Sequence, residues 1–205
     1  MVSRRTVGWI LAGLAVLLAG SAGQAQTAVK ALRNDEISVD GLYQFTSTVS
    51  GDGITDTASK SGGAEANFRH SMHWWLGYEL GYTYARYTNF YTGKLFGYQN
   101  NMHDFSGAYY VHGPRAFGIQ PFAVVGGSAL LFAPSLNGGQ NVPSQWRPGV
   151  NFGGGIDYPL LSRNFGLRLE YRGVYYQAPD FGQPGLTTNA WRITSEPMAG
   201  IYVHF

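Results

Sequence analysis

Cysteine is absent from this chain of 205 residues, and charged residues are scarce. Without cysteine there is neither a disulfide framework nor a thiolate nucleophile, so strand pairing and packing must supply the stability. Charged residues make up 13% of the sequence, against about a quarter in an ordinary soluble domain. Glycine and aromatic residues are abundant instead, with 29 glycines and 14 tyrosines. This composition suits strands joined by tight turns, with aromatic belts at a membrane interface.

Beyond the N-terminal region the sequence also lacks a long apolar run. A membrane helix would need about 20 such residues. At the N-terminus, Arg4 and Arg5 precede an apolar stretch over 7–19, and Gly23-Gln24-Ala25 supplies small residues at a cleavage site. The pattern predicts a secretory signal peptide over 1–25. The alternative is a membrane anchor, which the shortness of the run disfavours.

The remaining chain fits one domain, with a short periplasmic lead-in over 26–35 followed by a β-barrel over 36–205. Removal of the leader leaves as many basic as acidic residues. The charge therefore gives no indication of nucleic-acid binding.

Alternation of apolar with polar or small residues predicts eight antiparallel strands in an all-β, up-and-down transmembrane barrel. The predicted strands are 36–48, 59–70, 73–86, 99–112, 118–131, 147–158, 166–176 and 191–205. Four longer polar connections (49–58, 87–98, 132–146 and 177–190) alternate with three brief ones (71–72, 113–117 and 159–165). Outer-membrane barrels have this asymmetry, with short periplasmic turns and longer external loops.

One face of each amphipathic strand is apolar, and we expect it to contact lipid. In the third strand Leu76, Leu80 and Tyr84 share that face, whereas the fifth strand is apolar on both faces and its register is not determined by pattern. Pro197 inside the last strand removes a ladder donor and weighs against a fully regular closure.

The opposite, inward face carries charges of both signs. Because unpaired buried charge is costly and an eight-stranded barrel is just wide enough for side chains to fill it, we predict an ion-pair network that plugs the lumen. Its predicted members are Glu65, Arg69, Glu79, Arg168, Glu170, Arg172, Arg192 and Glu196. The alternative is a gated conductance path along the same residues.

No catalytic or metal site is predicted. His103, Asp104 and Ser106 lie along one strand, which is a poor arrangement for a triad. The histidines are spread over different strands without metal-ligand spacing, so we expect no metal and no cofactor. Most aromatic residues are predicted to anchor the barrel in two interfacial belts, including Tyr110 at the periplasmic side and Tyr87, Trp146, Tyr175, Tyr176 and Trp191 at the external side. Phe90, Tyr91 and Phe96 are the candidates for external contacts.

The last strand alternates from Trp191 onward and the chain stops on Phe205. Together with the leader, the missing cysteine and the loop asymmetry, this resembles the small eight-stranded outer-membrane β-barrels, the OmpA-like transmembrane domain and OmpX-like proteins of the porin-family barrels. The resemblance implies a bacterial outer-membrane location, contact with outer-membrane lipid, and a C-terminal insertion signal, formed here by Ile201, Val203 and Phe205, that the barrel-insertion machinery recognises.

The resemblance also implies a non-enzymatic protein that serves envelope integrity, surface interaction or restricted solute passage. Two further possibilities are a small-solute porin and an outer-leaflet lipid-modifying enzyme that removes or transfers acyl chains of lipid A. A soluble periplasmic barrel would need polar residues where Leu76, Leu80 and Leu167 lie. The sequence does not identify an external ligand.

Overall fold

The computed structural model describes residues 34–162 and 164–205. The predicted signal peptide and most of the predicted lead-in lie outside the described residues. Residues Asp35–His204 form one unit, whose strands are β1 (Asp35–Thr46), β2 (Val49–Gly51), β3 (Ile54–Ala58), β4 (Ser61–Ser71), β5 (Leu76–Tyr91), β6 (Tyr98–His112), β7 (Gln120–Pro134), β8 (Gln145–Ser162), β9 (Phe165–Gln177) and β10 (Trp191–His204).

Eight of these strands close into an antiparallel barrel in the order β5-β4-β1-β10-β9-β8-β7-β6, and β6 pairs again with β5. Each predicted strand corresponds to one barrel strand, so the prediction of an eight-stranded antiparallel barrel is confirmed. The first strand, β1, pairs with the last, β10, from the pair of Glu36 and His204 to the pair of Thr46 and Thr194. Closure leaves no free edge in the barrel wall.

Strands β2 and β3 form an additional hairpin in a segment predicted to be a loop. Its turn is Asp52-Gly53, with φ values of 52° and 75°, and both residues tolerate the left-handed conformation that a two-residue hairpin turn requires. Strand β3 pairs with the last residues of β5, from the pair of Asp56 and Tyr91 to the pair of Ala58 and Asn89. The hairpin therefore extends the barrel wall at one end, hereafter the long-loop end.

Connection lengths are less regular than the sequence predicts, because several strands are longer than predicted. Strands β5 and β6 extend towards each other and leave residues 92–97 between them, a connection about as long as 113–119 at the opposite, short-turn end. The connections 47–60, 135–144 and 178–190 remain long. At the short-turn end, β4 and β5 are joined by 72–75.

The predicted faces of the strands are confirmed. Outward-facing Leu80, Leu169 and Ile201 are 55%, 53% and 47% exposed, while the side chains that alternate with them, other than glycine, are buried. In β7, whose register the pattern left open, Val124 faces inward and Val125 outward. Within the described residues, no helix is long and apolar enough to cross a bilayer.

Pro197 interrupts the ladder between β10 and β1, as expected, because Tyr43 and Gln44 form no pair there, but it does not prevent closure of the barrel. It is exposed on the outer face of β10 and pairs in register with Tyr171 of β9. On the β1 side the ladder pairs Leu42 with Met198 and then Phe45 with Ser195, without a register shift.

Candidate functional site: a charged network in the lumen

Charged side chains of β4, β5 and β9 point into the barrel because they alternate with the apolar outward residues. Arg69, Glu79, Arg168 and Arg172 are each no more than 2% exposed. The charges could not remain buried without partners, since an uncompensated buried ion costs several kcal/mol. The partners come from other strands, so the network links distant parts of the wall.

Arg172 of β9 makes the longest of these links. Its guanidinium contacts Glu65 of β4, and its Nη2 lies 2.7 Å from Glu79 Oε1 of β5 and 2.5 Å from Glu170 Oε1. In the eight-stranded ring, β5 and β9 are diametrically opposite. The contact between Arg172 and Glu79 therefore crosses the full width of the lumen.

Arg69 of β4 completes this centre. Its Nε donates to Glu79 Oε2 at 2.5 Å and its Nη2 to Glu170 Oε2 at 3.4 Å. The guanidinium carbon lies 4.2 Å from the centroid of the Phe122 ring, so an aromatic face stabilises the cation on its remaining side. Two arginines thus share Glu79 and Glu170.

A second group lies towards the short-turn end. Arg168 Nε and Nη2 donate to the two oxygens of Asp157 at 2.7 and 2.9 Å, a paired geometry that holds the guanidinium in its plane. Arg168 Nη2 also lies 2.5 Å from Glu36 Oε1. Asp157 and Glu36 are absent from the predicted set, although the alternation of Glu36 with outward Ile37 places it on the inward face.

The other two predicted members form no ion pair with these residues, although Glu196 lies directly opposite Arg172 in the pairing of β10 with β9. Arg192 instead pairs with Asp56 of β3, Nη2 to Oδ2, at 2.9 Å, and Asn89 donates to both oxygens of Asp56 at 2.8 and 3.0 Å. Asp56 was missed because the hairpin that carries it was predicted as a loop. Within the described chain, both carboxylate oxygens of buried Glu196 lack a hydrogen-bond partner.

Above the charged network, the long-loop end of the lumen is filled by apolar and aromatic side chains. Residues 178–190 fold into the mouth, where Phe181 and Leu186 are 0% and 1% exposed. They pack in a cluster with Ala85, Tyr87, Tyr91, Met102, Leu130, Phe132, Val174 and Tyr176. This apolar cluster was not predicted, and it corrects the expectation that 177–190 is an exposed polar loop.

Burial inside the lumen also contradicts the predicted place of three residues in the interfacial belts. Tyr87, Tyr110 and Tyr176 are at most 2% exposed and face the lumen, because each alternates with an outward neighbour. Trp146 and Trp191 are 56% and 52% exposed on the outer surface, as predicted.

The candidates for external contacts are divided by the structure. Phe90 and Phe96 are 52% and 69% exposed at the long-loop end. Tyr91 is 3% exposed and its hydroxyl donates to the carbonyl oxygen of Pro179 at 2.8 Å. Tyr91 faces the lumen and holds the folded connection, so the expectation of an external contact is wrong for this residue.

The residues considered for catalysis lie on opposite faces of β6. His103 faces outward, with its Nδ1 2.8 Å from the Tyr82 hydroxyl. Asp104 faces the lumen, where it accepts a hydrogen bond from Ser128 at 3.1 Å. Within the described residues, no group of three or more His, Asp or Glu side chains could hold a metal ion.

Solved structures with the same architecture exist. Neisserial surface protein A has a TM-score of 0.58 at 16% sequence identity, with 84% of this chain and 97% of that chain covered. The outer membrane protein OprG from Pseudomonas aeruginosa has a TM-score of 0.59 at 14% identity, with 84% and 96% covered. No family model and no curated protein matches the sequence. The chain therefore has the fold of the small eight-stranded outer-membrane β-barrels.

Proposed function

We propose that this protein is a non-enzymatic, integral barrel of the bacterial outer membrane whose lumen is plugged, so that it acts as a scaffold and through its external surface. One observation carries the proposal: Arg172 reaches Glu79 on the opposite wall at 2.7 Å. A side-chain bridge across the full width leaves no room for a solute beside it, because an eight-stranded barrel has an interior that side chains just fill.

The distribution of polarity supports a membrane location. Large apolar side chains such as Leu80, Val125 and Leu169 are more than half exposed on the outer surface, while the arginines and carboxylates are inside. A soluble protein rarely exposes so continuous an apolar surface. In this orientation the long-loop end is external and the short-turn end periplasmic.

Fractionation of cells tests the location. The protein is expected with the outer membrane and resistant to extraction by high salt, because it is held by apolar burial. Recovery in the soluble periplasmic fraction would contradict the proposal and favour a ligand-holding periplasmic barrel.

Conductance across planar bilayers tests the plug. Purified protein is expected to give no discrete channel openings. Tyr171→Phe, a change on the outer surface, serves as the matched control for Arg172→Gln and Glu196→Gln in the lumen. Discrete openings of the wild-type protein whose amplitude shifts with Arg172→Gln or Glu196→Gln, but not with Tyr171→Phe, would identify a small-solute porin instead.

The non-enzymatic part of the proposal has its own test. Mass spectrometry of lipid A from cells with and without the protein is expected to show the same acyl pattern. Gain or loss of an acyl chain that depends on the protein would identify a lipid-modifying enzyme and overturn the proposal.

An external surface role has support in the long-loop end, where Phe90 and Phe96 are exposed beside the β2–β3 hairpin. Exposed aromatic side chains are frequent anchors of protein contacts. Replacement of both by serine is expected to abolish binding of any external ligand while leaving the barrel folded. A ligand that binds the double variant with the same affinity as the wild type would contradict the proposed surface role.

We also propose that Ile201, Val203 and Phe205 form the signal for the barrel-insertion machinery. Ile201 and Val203 lie on the outer face of β10, 47% and 39% exposed, on the strand that closes the barrel. Removal of Phe205 is expected to lower the amount inserted in cells without changing the stability of refolded protein, and Phe205→Tyr is the conservative control. Normal insertion without Phe205 would contradict the assignment.

A further inference from the structure

Among the exposed basic residues, Lys94 and Arg115 lie in the connections 92–97 and 113–119, whereas Lys60 and Arg86 lie on the outer surface of the wall or next to it. Arg69, Arg168, Arg172 and Arg192 are buried in the lumen, and Arg147 contacts Asp180 in its mouth. Arg86 of β5 faces outward and is exposed, and so is Lys60, which precedes β4. We name Lys60 and Arg86 the outer basic patch.

Strand pairing places the two residues at the same level of the barrel wall. Lys60 follows Ser59, whose backbone N–H donates to the carbonyl oxygen of Thr88 at 2.8 Å and whose Oγ accepts from Thr88 N–H at 3.0 Å. Strand β4 pairs Gly63 with Ala85, so one step further places Gly62 beside Arg86. The step from Ser59 to Gly62 is three residues but the step from Thr88 to Arg86 is only two, so Lys60 lies at a bulge where the register shifts. Lys60 and Arg86 are both exposed there, on neighbouring segments of the wall.

Both side chains retain donors for a ligand. Arg86 Nη2 donates to Gln99 Oε1 at 2.9 Å, and Gln99 is itself fixed by Ser135 Oγ at 2.9 Å. Lys60 Nζ lies 5.5 Å from the centroid of the Phe45 ring. Among the described residues, neither cation has a carboxylate within ion-pair distance. The patch is positive and lacks a countercharge.

The surroundings correspond to the headgroup level of a membrane. Tyr82 and Tyr84 precede Arg86 on the same face, and Tyr43 and Phe45 lie on β1 with their ring centroids 4.9 Å apart. Such aromatic side chains mark the interface between hydrocarbon and headgroups. The patch lies on the long-loop side of these rings, where anionic headgroups would meet it.

An apolar groove continues from the patch along the outer wall. It has a volume of about 610 Å³ and is lined by residues that include Gly41, Tyr43, Gly62, Pro197 and Ala199. Its outward floor is low because Gly41 pairs with both Ala64 and Ala199, and Tyr43 with Gly62. A cationic end and an apolar, groove-shaped body match the two parts of a phosphorylated lipid.

We propose that Lys60 and Arg86 bind the headgroup phosphate of an outer-leaflet lipid whose acyl chain lies in the groove over Gly41 and Gly62. The inference rests on the proposed outer-membrane location, since only that orientation brings the patch to the outer leaflet. The phosphate supplies the countercharge, and Arg86, already held by Gln99, offers further N–H donors in the planar arrangement that phosphate oxygens accept.

Native mass spectrometry of protein released from nanodiscs tests the proposal. The nanodiscs contain phosphatidylcholine with a small fraction of either phosphorylated or dephosphorylated lipid A. Wild-type protein is expected to retain the phosphorylated lipid, and Lys60→Gln with Arg86→Gln to retain about 10- to 30-fold less, since each basic residue near an anionic surface contributes about fivefold. Lys94→Gln with Arg115→Gln removes the same charge from other exposed positions and is expected to retain the lipid normally.

A second variant tests the groove without altering charge. A Cβ at Gly62 would have Leu42 O at 3.9 Å as its nearest neighbour, so Gly62→Leu is expected to fold, to fill the groove and to lower retention several-fold. Equal retention of phosphorylated and dephosphorylated lipid, an equal loss in the Lys94/Arg115 control, or binding of inorganic phosphate as strong as that of the lipid would overturn the inference. A folded barrel that retains no lipid overturns only this inference, whereas channel openings overturn only the plugged lumen.

Discussion

Arg172 and Glu79 lie on diametrically opposite strands and their side chains meet at 2.7 Å across the lumen. Arg172 also contacts Glu65 and Glu170, so one cation joins carboxylates from three strands. Ionic contacts thus hold the barrel wall together from inside. Stability and closure of the lumen therefore depend on the same residue.

Arg172→Gln is expected to lower the free energy of unfolding by about 3–5 kcal/mol, because it leaves buried Glu65 without a cation and leaves Glu79 and Glu170 with Arg69 alone. Urea unfolding in lipid vesicles, followed by tryptophan fluorescence, measures the change. Arg115→Gln removes an arginine from an exposed turn and is expected to stay within about 0.5 kcal/mol of the wild type. Equal unfolding midpoints for Arg172→Gln and the wild type would contradict the bridging role.

The alternation of residues predicted most of this architecture because the side-chain period of a strand is a local property. It identified the eight strands and their faces, and it placed Arg172 and Glu79 inside. It did not reveal that Arg192 pairs with Asp56, since that contact requires the hairpin at Asp52-Gly53. The Asp-Gly pair was the available signal.

Burial of the connection 178–190 could not be predicted from the same pattern. Phe181 and Leu186 lie among polar, glycine- and proline-containing residues that are typical of an exposed loop. Their positions depend on contacts with distant strands, such as the hydrogen bond from Tyr91 to Pro179. Alternation determines which way a strand residue points, but not where a loop folds.

Replacement by alanine is expected to destabilise the barrel at one glycine and to leave it unchanged at another. A Cβ at Gly77 would lie 2.3 Å from the His70 carbonyl oxygen and 2.4 Å from the Tyr110 ring, whereas a Cβ at Gly41 has only Ala199 O at 3.8 Å. Gly77→Ala should therefore cost about 1–3 kcal/mol by overpacking. Gly41→Ala should be neutral within about 0.5 kcal/mol. Urea midpoints compare them, and a similar loss in both would argue against the packing of Tyr110 on Gly77.

The pair of Asp56 and Arg192 should behave as a coupled unit. Both side chains are fully buried, so Asp56→Asn or Arg192→Gln alone leaves an unpaired buried charge and is expected to cost about 3–5 kcal/mol. The double variant should cost less than the sum of the two single changes, because they share one interaction. Asp52→Asn, in the exposed turn of the same hairpin, is the control. Strict additivity of the two single effects would contradict the coupling.

Acidification should loosen the connection that fills the mouth, through Asp180. Burial alone would raise the pKa of Asp180, but hydrogen bonds from Gln145 and the Gly182 backbone, together with the charge of Arg147, outweigh it and hold the pKa below its ordinary value of 3.8. The folded connection thus favours the ionised carboxylate. The contribution of the Asp180 carboxylate to the stability of this connection is complete above the ordinary pKa. It is lost as the pH falls through the lowered pKa.

Because the chain has no cysteine, a single spin label at Gln183→Cys reports motion of this connection alone. The label is expected to be restrained at neutral pH and to become more mobile below the ordinary pKa of Asp180. Asp180→Asn keeps the shape but removes the charge, so it should give greater mobility at neutral pH and little change on acidification. A label at Arg115→Cys, in the opposite turns, should show no such transition. If Asp180→Asn retained the full acid transition, another group would have to control the mouth, because Asp180 could no longer change its charge.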